Sequence, residues 1–391
     1  MKQEQIIIVG AGIIGLSTAY ALLKQGMKHV TVFEQAAVDH QRGTSSGLSR
    51  LLRFEYGADL FYSEMVKLSL ERWQMLERLS GQSLYTPTGL LVLGNEDDSF
   101  TRASHRLLQH MGLPIERLSR QHCTVHFPQF NTQSYNFLTY NPNAGMLHAS
   151  TCLQTLKRLV VDLGGHIYEK SCVTHMTHDR QHQPIRLHLT GDGEQMADRV
   201  VLATGPWVHK LLAELCLPIR ITRQHLLYFA NLPPSSFALH AFPAFMAGDL
   251  YGFPIHNTCV GSGPSWLKVA SHIFGSPIDP DEIPVADNSM IMRITEKLST
   301  ILPALQKAVL AHVDVCMYDV SLDEDFIVDH HPADSRIVFA TGLTGHGFKF
   351  GPVLGELLSS LLCDTDPVVP LDRFRLARFT HPIATRTGSA A

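Results

Sequence analysis

Residues 6–34 read IIIVGAGIIGLSTAYALLKQGMKHVTVFE, and no other stretch restricts the fold so tightly. Ile6–Val9 is a short apolar, β-branched run that predicts a strand. Gly10, Gly12 and Gly15 follow as G-x-G-x-x-G, an apolar helical pattern covers Ile13–Leu23, and Val30–Phe33 predicts a second strand ending in Glu34. In such a unit the first glycine makes the tight turn, the second lets the backbone approach a pyrophosphate, and the third lets helix pack on strand. The free amides of Ile13 and Ile14 and the positive dipole end of the helix face the phosphates. Glu34 lies about 20 residues past the glycines, where an acid can bond a ribose hydroxyl. The stretch therefore predicts dinucleotide binding, without choosing between FAD and NAD.

At 391 residues the chain is too long for one simple core, so a compact pair of domains is expected. Its 45% hydrophobic and 17% charged content is that of an ordinary globular protein, and a formal charge of −4 argues against nucleic-acid binding. The 22 histidines are scattered, and no H-x-x-x-H pair stands beside an acid, so no metal site is expected. Seven cysteines, odd in number and without a C-x-x-C, suit free thiols in a reducing, cytoplasmic compartment. The first residues lack the features of a signal peptide or a membrane span. The closing HPIATRTGSAA has the composition of a flexible tail, assigned to 379–391.

Further along, Arg50 and Arg53 flank two leucines on a Gly/Ser-rich loop, as solvated surface or as a clamp on an anion. Tyr62–Leu79 predicts an amphipathic helix used for packing. Residues 136–147 read as irregular, with Pro142, Asn143 and Gly145 as turn chemistry. Val200–Gly205 reads as a buried parallel strand returning to the nucleotide domain, and Pro206-Trp207 as the start of a helix. Residues 217–310 alternate short strands and turns, with a helix over Asn288–Leu302. Arg336–Thr341 predicts a strand, followed by the Gly342, Gly345, Gly347 loop and a helix over Pro352–Leu362. The predicted class is α/β with two domains, a Rossmann-like domain interleaved with a mostly antiparallel substrate domain. The nucleotide-binding pieces are 1–83, 148–216 and 316–378, and the substrate pieces are 84–147 and 217–315.

Several segments together resemble the monomeric sarcosine oxidase and N-methyltryptophan oxidase family of flavoproteins. They are IIIVGAGIIG, SGLSRLLRFEYG, VLATGPWVHKLL, YGFP with IDPD, CMYDVSLDEDFIVDHHP and TGHGFKF. The resemblance implies FAD as cofactor, bound covalently through Cys316; a lone cysteine is otherwise most often a buried, inert thiol. It implies oxidation of a secondary or N-methylated amino acid at an N–CH bond, with hydride passing to flavin, imine hydrolysis, and reoxidation by O2 to hydrogen peroxide. A monomer is also implied.

By the same resemblance Arg53 and Lys349 hold the substrate carboxylate, a task suited to an arginine fork and a lysine point charge. Lys268, in SWLKVASH, assists oxygen, since a fixed cation stabilises charge developing on it. Tyr251 and His272 position the substrate, and Met246 forms a pocket wall. Arg50, Gly345 and Gly347 line the flavin ring, Val173 contacts the adenine side, and Ser45, Ser49 and Gly205 complete the cofactor set. The chain departs from the family pattern at Ser45, Ser46 and Leu48, where sarcosine oxidases carry histidines in the aligned segment. It also departs in the longer CVGSGPSWLK, which could bring Trp266 to the pocket. Alternative readings are a flavin dehydrogenase, an oxidase of a cyclic imino acid or a glycated or bulky amine, a flavin protein without turnover, and an NAD dehydrogenase.

Overall fold

The computed structural model describes residues 4–178, 183–256 and 265–379. Two large sheets organise them. The first has six strands in the order Ile327–His331, Asp334–Thr341, Arg199–Leu202, Ile6–Val9, Val30–Phe33, His166–Tyr168. All pairings are parallel except the edge hairpin of Ile327–His331 with Asp334–Thr341. Runs such as IIIV and VTVF are buried along their whole length, as a parallel sheet covered on both faces requires. Ile6 and Ile8 pack with the helices Ile13–Lys24, Ala149–Asp162 and Gly351–Cys363. Ile7 and Val9 face the opposite way, onto a core shared with the three-stranded sheet Val173–Thr177, Ile185–Leu189, Gly193–Ala197.

The second sheet has eight strands in the order Val309–Ser321, Ile219–Ala230, Leu267–Ser271, Leu250–Gly252, Ala244–Ala247, Leu90–Gly94, Phe137–Asn141, Glu116–Leu118. It is antiparallel except where Ala244–Ala247 runs parallel to Leu90–Gly94. Side chains alternate: Leu227, Phe229, Phe245 and Val269 pack with Ile294 and Leu298 of the helix Asn288–Ile301, while Leu226, Tyr228, Met246 and Tyr251 face the opposite core. The region 136–147, expected to be irregular, carries the strands Phe137–Asn141 and Gly145–His148. Pro142 and Asn143 do lie between them, while Gly145 opens the second, and these residues masked two buried strands whose partners are distant in sequence. Pro206-Trp207 opens only a 3-10 turn and the short helix Val208–Leu211. The helix Leu60–Ser80 is capped by Asp59, which accepts from Tyr62 N–H at 3.2 Å, and is stopped by Gly81 at φ 67°.

The strand Val309–Ser321 lies wholly in the eight-stranded sheet, so residue 316 falls inside it. The expected tail falls, from residue 380 on, outside the described residues. No described helix is long and apolar enough to cross a membrane.

The first and last helices touch through glycine. A Cβ on Gly355 would stand 2.5 Å from the Ser17 carbonyl carbon and 2.6 Å from its oxygen. Backbone cannot yield cheaply here, so Gly355→Ala is expected to destabilise by about 1–3 kcal/mol, measured by denaturant unfolding. An unchanged midpoint would contradict this close approach.

Candidate active site

The glycine turn is built by its backbone. Gly10 has φ 101°, and a Cβ on it would meet Ala203 O at 2.4 Å; a Cβ on Gly15 would meet Gly10 O at 1.8 Å. Helix Ile13–Lys24 starts at Gly12 without a side-chain cap of its own, and Ser45 Oγ accepts instead from Ile13 N–H at 3.1 Å. The buried Glu34 carboxylate accepts from Ala11 N–H at 2.8 Å and from Ala36 N–H at 3.0 Å, with His40 Nε2 at 3.4 Å. Burial works against its charge, but His40 and the two amides outweigh burial and hold the carboxyl below its usual range.

From this turn a single cleft of about 2040 Å3 runs between the two large sheets to Lys349. Val173, Gly205 and Glu34 line the end near the glycine turn, together with Gly10, Gly12, Ile13, Ile14 and Ser45. Gly15 is the one expected cofactor residue that is not on the wall, because it serves the helix–strand contact. The cleft fits a dinucleotide. Its walls also hold buried polar atoms without partners, Thr204 Oγ1 and Ser49 Oγ among them. A ligand with hydroxyls and ring heteroatoms can satisfy such atoms, which are otherwise costly.

Midway, Arg50, Lys268 and Cys316 meet at the cleft. Arg50 donates to Thr44 O at 2.8 Å, Ser46 O at 2.6 Å and Ser49 O at 2.9 Å, and its guanidinium lies 5.4 Å from the Phe348 ring. The serines at 45 and 46 therefore act through one backbone amide and one carbonyl. Lys268, on strand Leu267–Ser271, is almost fully buried and donates to Ser49 O at 2.8 Å. Burial, and then Arg50, push its value down to about 7. Cys316 is a partly buried free thiol, pushed up by burial while Arg50 and Lys268 pull the other way.

At the far end Met246 and Tyr251 sit opposite each other on adjacent strands. The Tyr251 ring stacks on His272 at 4.4 Å, and His272 Nε2 is buried without a partner. Burial, then Arg53 and Lys349, hold His272 at about 3, so the ring is neutral. Arg53 lies 4.5 Å from the Tyr56 ring, and one of its guanidinium nitrogens is buried without a partner. Lys349 Nζ donates to Tyr56 Oη at 2.8 Å. Its backbone oxygen is held by Trp73 Nε1–H at 2.8 Å and by the Ser69 hydroxyl.

Sequence reading missed three side chains of this end. Tyr318 lies two residues past Cys316 on the same strand face, pairs with the Tyr251 hydroxyl, and would be struck at 2.2 Å by a Cβ on Gly345. Tyr56 and His346 are joined at 3.2 Å between Oη and Nδ1. The period of two from Cys316 points to Tyr318; Tyr56 and His346 lie in motifs from which only Arg53 and Lys349 had been singled out. Trp266 does not reach the cleft wall: it packs on His312 at 5.9 Å and Tyr228 at 6.0 Å. Residues 259–264 of the long segment lie outside the described residues.

Among the described residues, one group has metal-ligand chemistry: His178, Glu214 and His331, with ligand atoms within 4.8 Å of one another. His331 Nδ1 accepts from Ala333 N–H at 3.2 Å, so a neutral ring carries its proton on Nε2 and donates it to Glu214 at 3.0 Å. That hydrogen bond occupies the nitrogen a metal would need.

The cleft has room for a dinucleotide and two basic side chains at its far end, and comparison with known proteins gives the class. A family profile described as FAD dependent oxidoreductase matches residues 5–361. The chain is 32% identical over 384 residues to the peroxisomal sarcosine oxidase of Mus musculus, covering 96% of each. It is 30% identical over 371 residues to the monomeric sarcosine oxidase of Bacillus sp. (strain B-0618), covering 91% of each. It is 29% identical to the N-methyl-L-tryptophan oxidase of Yersinia pestis (strain Pestoides F), over 96% of this chain and 99% of that one. Among solved structures, the L-proline dehydrogenase of P. horikoshii has the same fold, with a TM-score of 0.83 at 18% identity over 97% of this chain and 98% of that one. The chain belongs to the FAD-dependent oxidoreductases, in the family of the sarcosine and N-methyltryptophan oxidases.

Proposed function

We propose that this protein is an FAD-dependent oxidase of secondary or N-methylated amino acids. The observation that carries the reading is the far end of the cleft, where Arg53 presents an unpartnered guanidinium nitrogen and Lys349 stands beside the same tyrosine. A substrate carboxylate satisfies both, the arginine by its planar fork and the lysine as a point charge. Tyr251 and the neutral His272 flank the held substrate, and Met246 walls its side group. Bound FAD would supply the redox chemistry, taking hydride from the N–CH bond and passing the electrons to O2 to give hydrogen peroxide. The imine left behind is hydrolysed by water. Lys268, fixed by Ser49 O, stabilises negative charge as it develops on oxygen. The relatives named for sarcosine and N-methyl-L-tryptophan oxidation support this chemistry.

A panel of N-methyl amino acids under air, read by peroxide release, tests the proposal. One peroxide per substrate oxidised is expected. Bleaching of the flavin without peroxide in any case would make the protein a dehydrogenase.

A covalent flavin link through Cys316 belongs to the same proposal, supported by a thiol on the cleft wall beside Arg50 and Lys268. Acid precipitation is expected to leave a yellow pellet. Cys316→Ser is expected to give a colourless pellet and a yellow supernatant, and a yellow pellet from that variant would place the link elsewhere. The monomeric state is tested by sedimentation, where a dimer would contradict it.

A further inference from the structure

Arg53 and Lys349 are two basic side chains at one buried end of the cleft, and among the described residues neither is held in an ion pair. Lys349 is 4% exposed. Its amine makes two hydrogen bonds, to Tyr56 Oη at 2.8 Å and to His346 O at 3.3 Å. A neutral amine has two N–H donors and one lone pair, so these two acceptors complete a neutral lysine and leave the lone pair to the cleft. The Tyr56 hydroxyl in turn meets His346 Nδ1 at 3.2 Å, which lets it donate there while accepting from Lys349.

The surrounding charges do not favour an ammonium. Glu55 is the carboxylate facing the pair, but it is buried, and its oxygens accept from Asn141 Nδ2 and Phe54 N–H, both at 2.9 Å. Burial pushes its carboxyl up, toward the neutral acid. From the loop 342–347 His346 is held neutral, by burial above all, and from the other wall His272 is neutral too. From helix Leu60–Ser80, Tyr62 stacks on Tyr56 at 5.0 Å. Arg373, behind Tyr62, is neutralised by Asp59 at 2.6 Å and Asp325 at 2.7 Å. Burial, and then the Arg53 charge, hold Lys349 well below the usual lysine range.

We propose that Lys349 rests unprotonated and takes the proton of the substrate's own ammonium as the carboxylate docks. This rests on the carboxylate-binding reading above. The N–H bond of the substrate R2NH2+ breaks, its electron pair stays on nitrogen, and the proton joins the Lys349 lone pair. The products are the free amine, which is the form that can surrender hydride, and a charged lysine paired with the carboxylate. No proton comes from solvent, no separate base is needed, and the ligand's negative charge is what makes the lysine basic enough to act. The site thereby selects zwitterionic amino acids over simple amines, which bring no charge to raise the lysine.

Calorimetric binding of methoxyacetate to the holoenzyme tests this without turnover, since its oxygen replaces the amine nitrogen and it has no proton to give. Titrations at pH 8 in buffers of different ionisation enthalpy count protons. Uptake of close to one proton per ligand is expected for the native protein. Close to zero is expected for Lys349→Arg, which is always charged, and for Lys349→Met, which cannot be. No uptake by the native protein, uptake that survives in Lys349→Arg, or no binding of the carboxylate at all would each overturn the proposal. A protein that takes up the proton yet yields no peroxide from any N-methyl amino acid would keep this proposal and overturn the oxidase reading.

Discussion

Arg53→Ala is expected to lower kcat/KM for N-methyl amino acids by about 10²–10³-fold, the loss of roughly 3–4 kcal/mol that removing one partner of a buried charge pair brings. The guanidinium is braced against the Tyr56 ring at 4.5 Å and has a buried nitrogen without a protein partner, so it is free to take a ligand's carboxylate as proposed. Arg53→Lys is not a conservative exchange here, because the planar fork is lost and a second lysine replaces it beside Lys349. The loss must depend on the carboxylate. Amines of the same size without one start from a poor rate and should change by less than about tenfold, which leaves the charge-assisted bond as the difference. Steady-state kinetics on matched substrates decide this, and equal losses with and without a carboxylate would remove Arg53 from the anion clamp.

Lys268→Met is expected to slow flavin reoxidation by O2 by about 10²–10³-fold, the scale of removing a preorganised group that stabilises developing charge. Methionine fills the volume without the cation. Flavin reduction by substrate in the absence of oxygen should stay within about tenfold of the native rate, because the charged neighbours of Lys268 are Arg50, Cys316 and Asp314 and not the Arg53 and Lys349 pair. Equal losses in both half-reactions would rule out the oxygen role. The same group gives a pH dependence. With its value pushed down to about 7, the cation is present below that pH and discharged above it. An anionic ligand beside it can only raise the value. The oxygen half-reaction should therefore fall as pH rises, with a midpoint at or above about 7, and the fall should vanish in Lys268→Met. Burial of this lysine disfavours its charge, so the site keeps the cation at a cost in folded-state stability.

Local spacing carried much of the fold. The turn from Gly10 to Gly15 and the all-apolar runs Ile6–Val9 and Val30–Phe33 follow rules that act within some thirty residues. What escaped was set by distant partners. Phe137–Asn141 is a strand because Leu90–Gly94 and Glu116–Leu118 flank it, and its own residues read as a turn-rich loop. Tyr56 and His346 meet across 290 positions of sequence, so neither suggests the other until the chain is folded. Trp266 was expected near the pocket from its neighbourhood to Lys268, but it lies just before the strand Leu267–Ser271 and its ring packs on His312 and Tyr228, off the cleft wall. Glu34 illustrates a subtler gap. Its position suggests a ribose contact, while the folded chain also uses it to hold Ala11 N–H inside the glycine turn.

Anaerobic mixing of the holoenzyme with an N-methyl amino acid, followed by a second mixing with oxygenated buffer, tests the oxidase reading most directly. The account predicts rapid bleaching of the flavin absorbance in the first step, and full recovery with one hydrogen peroxide per flavin in the second. Failure of every carboxylate-bearing secondary amine to bleach the flavin would contradict it.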